Sequence, residues 1–456
     1  MGQVCPILTT ILLLYAFNTV GDSLGMEILV EGLSSNYFET TIVPVIDIAV
    51  ERINTMVKRG EYMNFTIVFH HYSYTCEHVY PSLGASLAAK YYHTKKVAAF
   101  MGPTCNSAME NVAILCSAWN LPVLSGMSPG FMLGDKDKFH TLTRTSSLAE
   151  HFARAVESAM YYFNWHMIIW INQSEEGYWG AITEGLRDHH AQLFKEGFDF
   201  VEIKSWEFDD TKDILEHAMT KGRVIFLAVD GDTLRSIMLN AYDLNLLNGK
   251  YAFINIIPFR DVDIFGNDSW ERGDGRDDQA KQAYEALMTI RVFEPTSSVY
   301  KDFEKEVILR REMNYNITMD HDQSSHIFLA SAFYDVMILY SLAINETLAE
   351  GGDVYDGHAV THRMWNRTFE GLYGQVVINE NGDRDSEYTL WDMTDTENGT
   401  FEIVGNFYVT ATGLRYTPTP NRTILWPGEP RPLRWIAPSV DFSMRTPNVK
   451  IKIPDF

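Results

Sequence analysis

The sequence predicts an α/β protein with two doubly wound, Rossmann-like lobes. Short apolar runs rich in β-branched or aromatic residues alternate with longer amphipathic segments, and this alternation fills two successive blocks of the chain. It indicates parallel strands joined by helices, because two parallel strands need a long crossover between them. The chain has 456 residues, which suits two or three domains of roughly 100 to 200 residues each.

The first block covers about residues 26–145. Its strand-like runs are MEILV, FTIVF and VAAFM, which begin at residues 26, 65 and 97. The amphipathic segments TTIVPVIDIAVERINTM and SLGASLAAKYY lie between them. The second block, about residues 146–270, alternates the runs HMIIWI, RVIFLAV and YAFINII with helical segments such as EHFARAVESAMYYF and AITEGLRDHHAQLF.

The last part of the chain has a different pattern. GQVVINENGDRDSEYTLWDM alternates with a period of two around an Asn-Gly pair, which predicts a β-hairpin. From Thr417 onward the chain carries many prolines, so residues 417–456 are predicted to form an irregular tail.

The charged stretch WERGDGRDDQAKQAYEAL, residues 270–287, contains an Arg-Gly-Asp tripeptide. The tripeptide is either an adhesion ligand or part of the approach to a helix. Asp277 and Asp278 would lie in the first turn of that helix, where negative charge is favoured. The apolar positions that recur at helical spacing are Ala280, Ala283, Tyr284, Leu287 and Met288. A structural role is therefore the preferred interpretation.

Composition narrows the class of protein. Hydrophobic residues make up 46% of the chain and aromatic residues 13%, which is ample for packed cores and argues against disorder. The formal net charge of −23 argues against a nucleic-acid partner or an anionic membrane surface, and it favours a cationic partner.

The N-terminus and the glycosylation sequences predict a secreted protein or the extracellular face of the plasma membrane. Residues 1–23 contain an apolar stretch followed by small and polar residues, which predicts a signal peptide rather than a retained signal anchor. Asn-x-Ser/Thr sequences occur at Asn64, Asn172, Asn267, Asn316, Asn345, Asn366, Asn398 and Asn421.

A second apolar stretch, residues 326–344, is long enough to cross a bilayer. Asp335 lies in its middle, and a charge at mid-bilayer costs several kcal/mol. A buried helix of a globular domain is therefore predicted.

The sequence gives little support for catalysis or a metal site. GMSPG at 126–130 matches a serine-hydrolase elbow around Ser128, but the charged segment FMLGDKDKF follows where a helix is needed. HExxH, CxxC, P-loop and GxGxxG patterns are absent from the sequence. We expect no catalytic residue, no metal and no organic cofactor.

FMGPTCNSAMENVAIL, residues 100–115, predicts a strand, a tight turn and a helix N-terminus that suits a small anion. Cys76 follows the preceding strand, and a disulfide from it to Cys105 would stabilise the fold by roughly 3 to 4 kcal/mol. Removal of the signal peptide leaves an odd number of cysteines, so one thiol stays unpaired or bonds another chain. Cys116 suits a buried core position.

These stretches resemble the natriuretic peptide receptor ectodomains, within the type I periplasmic-binding-protein-like ligand-binding regions. The similarity covers nearly the whole mature chain, and its most specific segments are GPTC at 102–105, TLTR at 141–144, WERGDGRDDQAKQAY from 270 and RMWNRTFEGLYGQVVINENGDRDSEYTLWDM from 363. The resemblance implies a two-lobed Venus-flytrap receptor. It also implies a homodimer formed through lobe 1 that holds a cyclic, basic peptide hormone between its protomers.

The resemblance further implies a bound chloride ion and several peptide contacts. The chloride positions match Ser73, Thr104 and Cys105. The candidate peptide contacts are Glu77 or His78, Phe139 and Glu184. Other contact positions of the family carry Ile114, Gly180 and Ala181 here, and the family's second-lobe cysteines are absent.

Residues 24–145 and about 285–355 are predicted to form lobe 1, and residues 146–284 and about 356–416 to form lobe 2. The expected function is peptide-hormone binding for signalling, for clearance or as a soluble decoy, with a membrane-anchored full-length receptor or a co-receptor as a further partner. The alternative is a small-molecule binding protein that uses the cleft between the lobes. An inactive scaffold is a third interpretation.

Overall fold

The computed structural model describes residues 26–74, 82–128, 130–175, 177–317, 324–372, 374–410 and 413–426. Within these residues the strands form two main sheets, and each sheet is packed against its own hydrophobic cores. The predicted α/β fold with two lobes is confirmed.

Lobe 1 is built on a parallel sheet of five strands in the order β2-β1-β3-β4-β5. Ile28 and Val30 of the interior strand β1 enter one core, whereas Leu33 of the same strand enters the core on the opposite face. Burial on both faces explains why these strands read as continuous apolar runs. The elements are β1 (Met26–Ser35), α1 (Asn36–Lys58), β2 (Phe65–Tyr74), α2 (Ser82–Thr94), β3 (Ala99–Met101), α3 (Asn106–Ala118), β4 (Val123–Ser125) and β5 (Leu142–Arg144).

Lobe 2 begins with a second βα block. Its parallel strands have the order β10-β9-β8-β6-β7. The elements are α4 (Phe152–Phe163), β6 (Met167–Asn172), α5 (Gly177–Lys195), β7 (Asp199–Lys204), α6 (Thr211–Met219), β8 (Val224–Ala228), α7 (Gly231–Asp243), β9 (Ala252–Ile256), α8 (Val262–Phe265), α9 (Asp277–Tyr284) and β10 (Leu287–Val292). Asp210 and Asp230 cap α6 and α7 by accepting hydrogen bonds from their first-turn amides.

The chain then returns to lobe 1 and finally to lobe 2. Three helices and a small antiparallel sheet pack on the core of lobe 1. They are α10 (Ser298–Tyr315), α11 (Ser324–Ala349), α12 (Gly357–Met364), β11 (Arg367–Gly371), β12 (Gly374–Ile378) and β13 (Arg384–Asp385). The predicted hairpin is confirmed, because β12 and β13 pair on either side of the Asn-Gly turn. Strands β14 (Tyr388–Asp395), β15 (Thr400–Thr410) and β16 (Gly413–Pro418) extend the larger sheet antiparallel to β10.

These contacts correct the predicted boundaries between the lobes. Strand β10 lies inside the predicted lobe-1 segment 285–355, yet it is a fully buried strand of the larger sheet. The segment from α12 to β13 was assigned to lobe 2, but Val360, Phe369 and Val376 lie in the core of lobe 1. The boundaries therefore fall close to residues 293–297 and 386–387. The predicted tail also begins slightly later, because β16 extends to Pro418, and residues 427–456 lie outside the described part.

The apolar helix α11 lies in the core of lobe 1. Its residues His326–Ala349 have a mean hydropathy of 1.9 in the most apolar window, and 89% of that window is buried. Asp335 is buried within it, and its carboxylate accepts a hydrogen bond from the Leu372 amide at 2.8 Å. Burial raises the pKa of Asp335 to about 6, although Arg384 partly offsets the effect. This burial agrees with the predicted core helix.

The Arg-Gly-Asp tripeptide is folded into lobe 2. Arg235 of α7 donates two hydrogen bonds to Asp274, at 2.5 and 2.9 Å, and Arg272 donates to Asp232 at 2.7 Å. The hydrogen bond with Arg235 lowers the pKa of Asp274 to about 2. The predicted helix begins at Asp277, but it ends at Tyr284, so Leu287 and Met288 belong to strand β10 instead.

A buried ion pair joins the end of β5 to the hairpin turn. The Arg144 guanidinium donates to both carboxylate oxygens of Asp383, at 2.7 and 2.8 Å, and Lys136 donates to the same carboxylate at 2.9 Å. Arg144 is fully buried and Asp383 is 5% exposed. Burial alone would raise the pKa of Asp383, but the two cations hold it below its usual value.

We predict that Asp383→Ala lowers the free energy of unfolding by about 3 to 5 kcal/mol, because it leaves the Arg144 charge buried without its partner. Denaturant unfolding measures this loss. Asp385→Ala is the matched control, since it breaks a more exposed ion pair with Arg154 at 2.9 Å and should cost less than about 1 kcal/mol. Equal losses in the two variants would contradict this assignment.

Candidate ligand-binding sites

The first candidate site lies at the carboxyl edge of the lobe-1 sheet. Ser73 near the end of β2 is aligned with Ser34 of β1, and Gly32 of β1 is aligned with Met101 at the end of β3. This register brings Ser73 to the same edge as the turn that leads into α3. Thr104 in that turn is buried, with 8% of its surface exposed.

Cys105 is the N-cap residue of α3. Its backbone is extended, and it makes no side-chain capping hydrogen bond. The first-turn amides of a 13-residue helix therefore point toward this edge without a side-chain cap from Cys105. Amide hydrogens and the positive end of the helix dipole suit a small anion chemically.

The cysteines behave largely as expected from the sequence. Cys105 is disulfide-bonded, whereas Cys116 is a free thiol buried in the core of lobe 1. Burial raises the pKa of the Cys116 thiol far above its usual value, which makes it a poor nucleophile. Cys76 lies outside the described residues, so its pairing with Cys105 stays a prediction.

The predicted peptide contacts have different environments. Phe139 is fully buried in the lobe-1 core that also contains Leu142 of β5 and Met109 of α3, so its proposed role as a peptide contact is corrected to a packing role. A single apolar residue in a charged loop gave no sign of this burial. Glu77 and His78 lie outside the described residues.

Glu184 lies on the outer face of α5, with 46% of its side chain exposed. Arg187 donates to Glu184 and also to Glu202 of the neighbouring strand β7, at 2.6 and 3.0 Å. Glu175, which precedes α5, is half exposed and is bonded by Lys204. This group of three carboxylates and two cations, called the α5 acidic cluster below, leaves Glu184 accessible to a positively charged ligand.

The other family contact positions differ in their surroundings. A Cβ atom at Gly180 would lie 2.2 Å from the Glu175 carbonyl oxygen, so α5 cannot carry an aromatic side chain there. Ala181 packs at the edge of the lobe-2 core. Ile114 is 40% exposed on α3.

The adjacent helices α2 and α3 present an apolar outer surface. Leu83 of α2 and Ile114 of α3 are both substantially exposed. Tyr92 and Trp119, at the ends of these helices, stack with ring centroids 4.2 Å apart and planes within 2° of parallel. Leu83, Ile114 and this stacked pair are called the α2–α3 face below.

A cavity of about 340 Å³ lies between the lobes. Segments that connect the two lobes form one side of the cavity. There the Ser147 hydroxyl donates a 2.8 Å hydrogen bond to Ser386. Ser146 is one of the lining residues, and its hydroxyl is buried and has no hydrogen-bond partner within the described residues. Five aromatic side chains contribute to the wall, namely Tyr178, Phe259, Phe265, Phe293 and Phe328.

Sequence reasoning did not identify the residues of this cleft. They come from crossing segments that are far apart in the chain, and no short motif links them. The order of the βα units could have indicated only the general location of the cleft, because ligands of doubly wound sheets bind beyond the carboxyl ends of the strands.

The predicted glycosylation sites differ in accessibility. Asn172 is fully buried at the end of β6, and its amide donates to Glu202 at 3.4 Å, so this sequence is corrected to a structural position. Asn267 and Asn345 are half-buried, and the Asn345 side chain accepts a hydrogen bond from the Met63 amide at 2.7 Å. The exposed asparagines are Asn64, Asn316, Asn366, Asn398 and Asn421.

Ser128 is fully buried, and its hydroxyl donates to backbone carbonyl groups, at 3.3 Å for Pro103 and 2.5 Å for Met127. A short 3-10 turn at Phe131–Gly134 follows instead of the long helix that a nucleophile elbow requires. Within the described ranges, no group of three or more His, Cys, Asp or Glu side chains is arranged to hold a metal ion.

Comparisons with known proteins place this geometry in a family. The family model described as "Receptor family ligand binding region" matches residues 42–396. "Atrial natriuretic peptide receptor 3" of Bos taurus is 34% identical over 320 residues, which cover 68% of this chain and 57% of that protein. "Receptor-type guanylate cyclase gcy-28" of Caenorhabditis elegans is 38% identical over 217 residues, which cover 45% of this chain and 16% of that protein.

A solved structure supports the fold alone. It is titled as an ABC transporter substrate-binding protein from Desulfitobacterium hafniense in complex with Leu. Its TM-score to this chain is 0.55 at 17% identity, and the alignment covers 83% of this chain and 99% of that one.

The chain thus spans just over half the length of the natriuretic peptide receptor 3 sequences that it resembles, with 57% covered in Bos taurus and 56% in Homo sapiens. The match to the family model extends over most of both lobes. This chain belongs to the receptor ligand-binding-region family and is similar to the natriuretic peptide receptors within it.

Proposed function

We propose that this chain is the extracellular ligand-binding region of a receptor, and that it binds a natriuretic-peptide-like hormone between two protomers of a dimer. The observation that carries this proposal is the 34% identity to natriuretic peptide receptor 3 across 68% of the chain. In this role the chain serves signalling, clearance or decoy binding, alone or as part of a longer membrane-anchored receptor or with a co-receptor.

The charge distribution supports a basic peptide as the ligand. The formal net charge of −23 attracts cations over long distances. The α5 acidic cluster adds a local site, since Glu184 remains 46% exposed although Arg187 bonds it. An arginine or lysine of the peptide would compete with Arg187 for this carboxylate.

The α2–α3 face supports dimerisation through lobe 1. Exposed aliphatic side chains next to a stacked Tyr-Trp pair are typical of the apolar centre of a protein interface. Leu83 and Ile114 lie on helices that pack against each other, so a second protomer could contact both.

We further propose that a chloride ion binds at Ser73, Thr104 and Cys105. The register of β1, β2 and β3 and the N-terminus of α3 support this site. The same turn also borders the interlobe cleft, because Thr104 and Cys105 line it. An ion there would hold the edge of lobe 1 in one arrangement and thereby favour peptide binding.

A second candidate function is small-molecule binding in the interlobe cleft. The buried Ser146 hydroxyl favours it, because an unpaired polar group in an aromatic cavity is a natural anchor for one ligand hydrogen bond. The cavity of about 340 Å³ limits such a ligand to a small metabolite.

We predict that the purified chain binds labelled atrial natriuretic peptide saturably, and that Glu184→Gln weakens the affinity up to roughly fivefold, because a half-exposed charge pair contributes up to about 1 kcal/mol. Glu216→Gln is the matched control, since Glu216 is an exposed helical residue of the same lobe, 3.8 Å from Lys212. Absence of saturable binding would refute the proposed function, and equal losses in both variants would remove Glu184 from the site.

Replacing chloride by a large anion such as gluconate at constant ionic strength is predicted to weaken peptide affinity. In chloride buffer, Ser73→Ala should weaken peptide affinity about tenfold, because it removes one charge-assisted hydrogen bond to the ion. Titration of chloride into the peptide-binding assay measures both effects. An affinity that does not depend on chloride in the unsubstituted protein would contradict the chloride site.

A thermal-unfolding screen separates the two candidate functions, since a ligand that binds only the folded state raises the Tm. We expect the peptide to raise the Tm and amino acids at millimolar concentration to leave it unchanged. A Tm that rises with amino acids but not with the peptide would favour small-molecule binding in the cleft. In that case Ser146→Ala should abolish the rise in Tm caused by amino acids.

A further inference from the structure

Two histidines lie one helical turn apart on α12. His358 and His362 are both exposed, and their Nε2 atoms are 3.0 Å apart. Their ring centroids are separated by 4.1 Å. The spacing of four residues places both rings on one face of the helix.

A third imidazole lies beside this pair. His140, in the turn that precedes β5, has its ring centroid 6.1 Å from that of His358. Its Nδ1 atom is buried and has no hydrogen-bond partner within the described residues. The His140 ring thus lies next to the pair but does not form, with the pair, a three-residue group arranged to hold a metal ion.

The backbone around the pair is firmly held. Asn120, which follows α3, accepts hydrogen bonds from the Gly357 amide at 3.2 Å and the His358 amide at 2.6 Å. At the other end of α12, the Trp365 indole donates to Thr143 of β5 at 2.9 Å. The two histidines thus project from a helix that is fixed at both ends.

The separation of the two nitrogens fits a shared metal ion. In a tetrahedral zinc site with Zn–N bonds of about 2.0 to 2.1 Å, two ligand nitrogens lie roughly 3.3 Å apart. A change of a few tenths of an ångström from 3.0 Å achieves this separation, and side-chain rotation supplies it. The competing arrangement is a single N–H···N hydrogen bond between neutral rings, which needs no metal.

We propose that His358 and His362 form a two-histidine binding site for a divalent transition-metal ion, with Zn²⁺ as the ion of this class that we test. Imidazole nitrogen suits Zn²⁺ and Cu²⁺, whereas Ca²⁺ and Mg²⁺ prefer oxygen ligands. Water is available for the remaining coordination positions. The carboxylate that caps α12, Asp356, accepts hydrogen bonds from the Ala359 amide and the Asn120 side chain, both at 3.2 Å.

The site has a structural consequence that is independent of peptide binding. α12 follows the segment after core helix α11, and it packs against the edge strand β5 of lobe 1. A metal ion held by His358 and His362 would brace α12 in its helical form. Zn²⁺ should therefore raise the Tm of the protein.

The test is calorimetric titration of Zn²⁺ into the protein without a polyhistidine tag. We expect saturable binding with one site per chain, and we expect His358→Ala and His362→Ala each to weaken it by at least about tenfold, because loss of even an outer metal partner costs 10- to 100-fold. Both residues are exposed, so the variants should fold, and unchanged circular dichroism spectra check this.

His217→Ala is the matched control, since His217 is an exposed histidine near the end of α6 in lobe 2. It should leave Zn²⁺ affinity unchanged, and Ca²⁺ and Mg²⁺ should not bind at this site. Zn²⁺ binding that persists in both α12 variants would overturn the proposal, as would the absence of binding in the unsubstituted protein.

Discussion

The buried ion pair between Arg144 and Asp383 joins the last strand of the lobe-1 sheet to the hairpin turn. Both residues lie next to segments that connect the two lobes. Arg144 ends the last strand of the lobe-1 sheet, and its backbone amide also donates to the Gly382 carbonyl at 2.9 Å. Gly382 has a positive φ of 73°, and a Cβ atom there would lie 2.0 Å from the Trp365 indole nitrogen. The hairpin turn can therefore approach β5 only with glycine at this position. Because the chain crosses to lobe 2 directly after Arg144 and shortly after Asp383, the pair fixes where two of the crossings begin.

This arrangement determines which surfaces a ligand can use. The crossings bring Ser147 and Ser386 into contact and leave a small aromatic cleft between the lobes. The α5 acidic cluster and the α2–α3 face lie elsewhere, on the outside of lobe 2 and lobe 1 respectively. The proposed capture of a basic peptide between protomers would use these outer surfaces, whereas metabolite binding would use the cleft.

Much of the fold was predictable because its signals are local. Strands such as Met167–Asn172 are continuous apolar runs, and helices such as Thr211–Met219 begin at a capping aspartate. The hairpin followed from its Asn-Gly turn. The lobe boundaries and the environment of Phe139 could not be predicted, because burial at these positions depends on contacts between distant segments. For the same reason the apolar spacing at Leu287 and Met288 suggested a longer helix, although these residues complete the larger sheet. Glu184 was proposed through family resemblance alone, and its role in peptide binding stays a prediction.

Native mass spectrometry of the chain mixed with atrial natriuretic peptide tests the central claim most directly, because the mass gives the stoichiometry of the complex. The account predicts one peptide bound to two protomers, with dimer formation increased by the peptide. A complex of one peptide with one protomer, or two peptides on a dimer, would contradict binding between protomers.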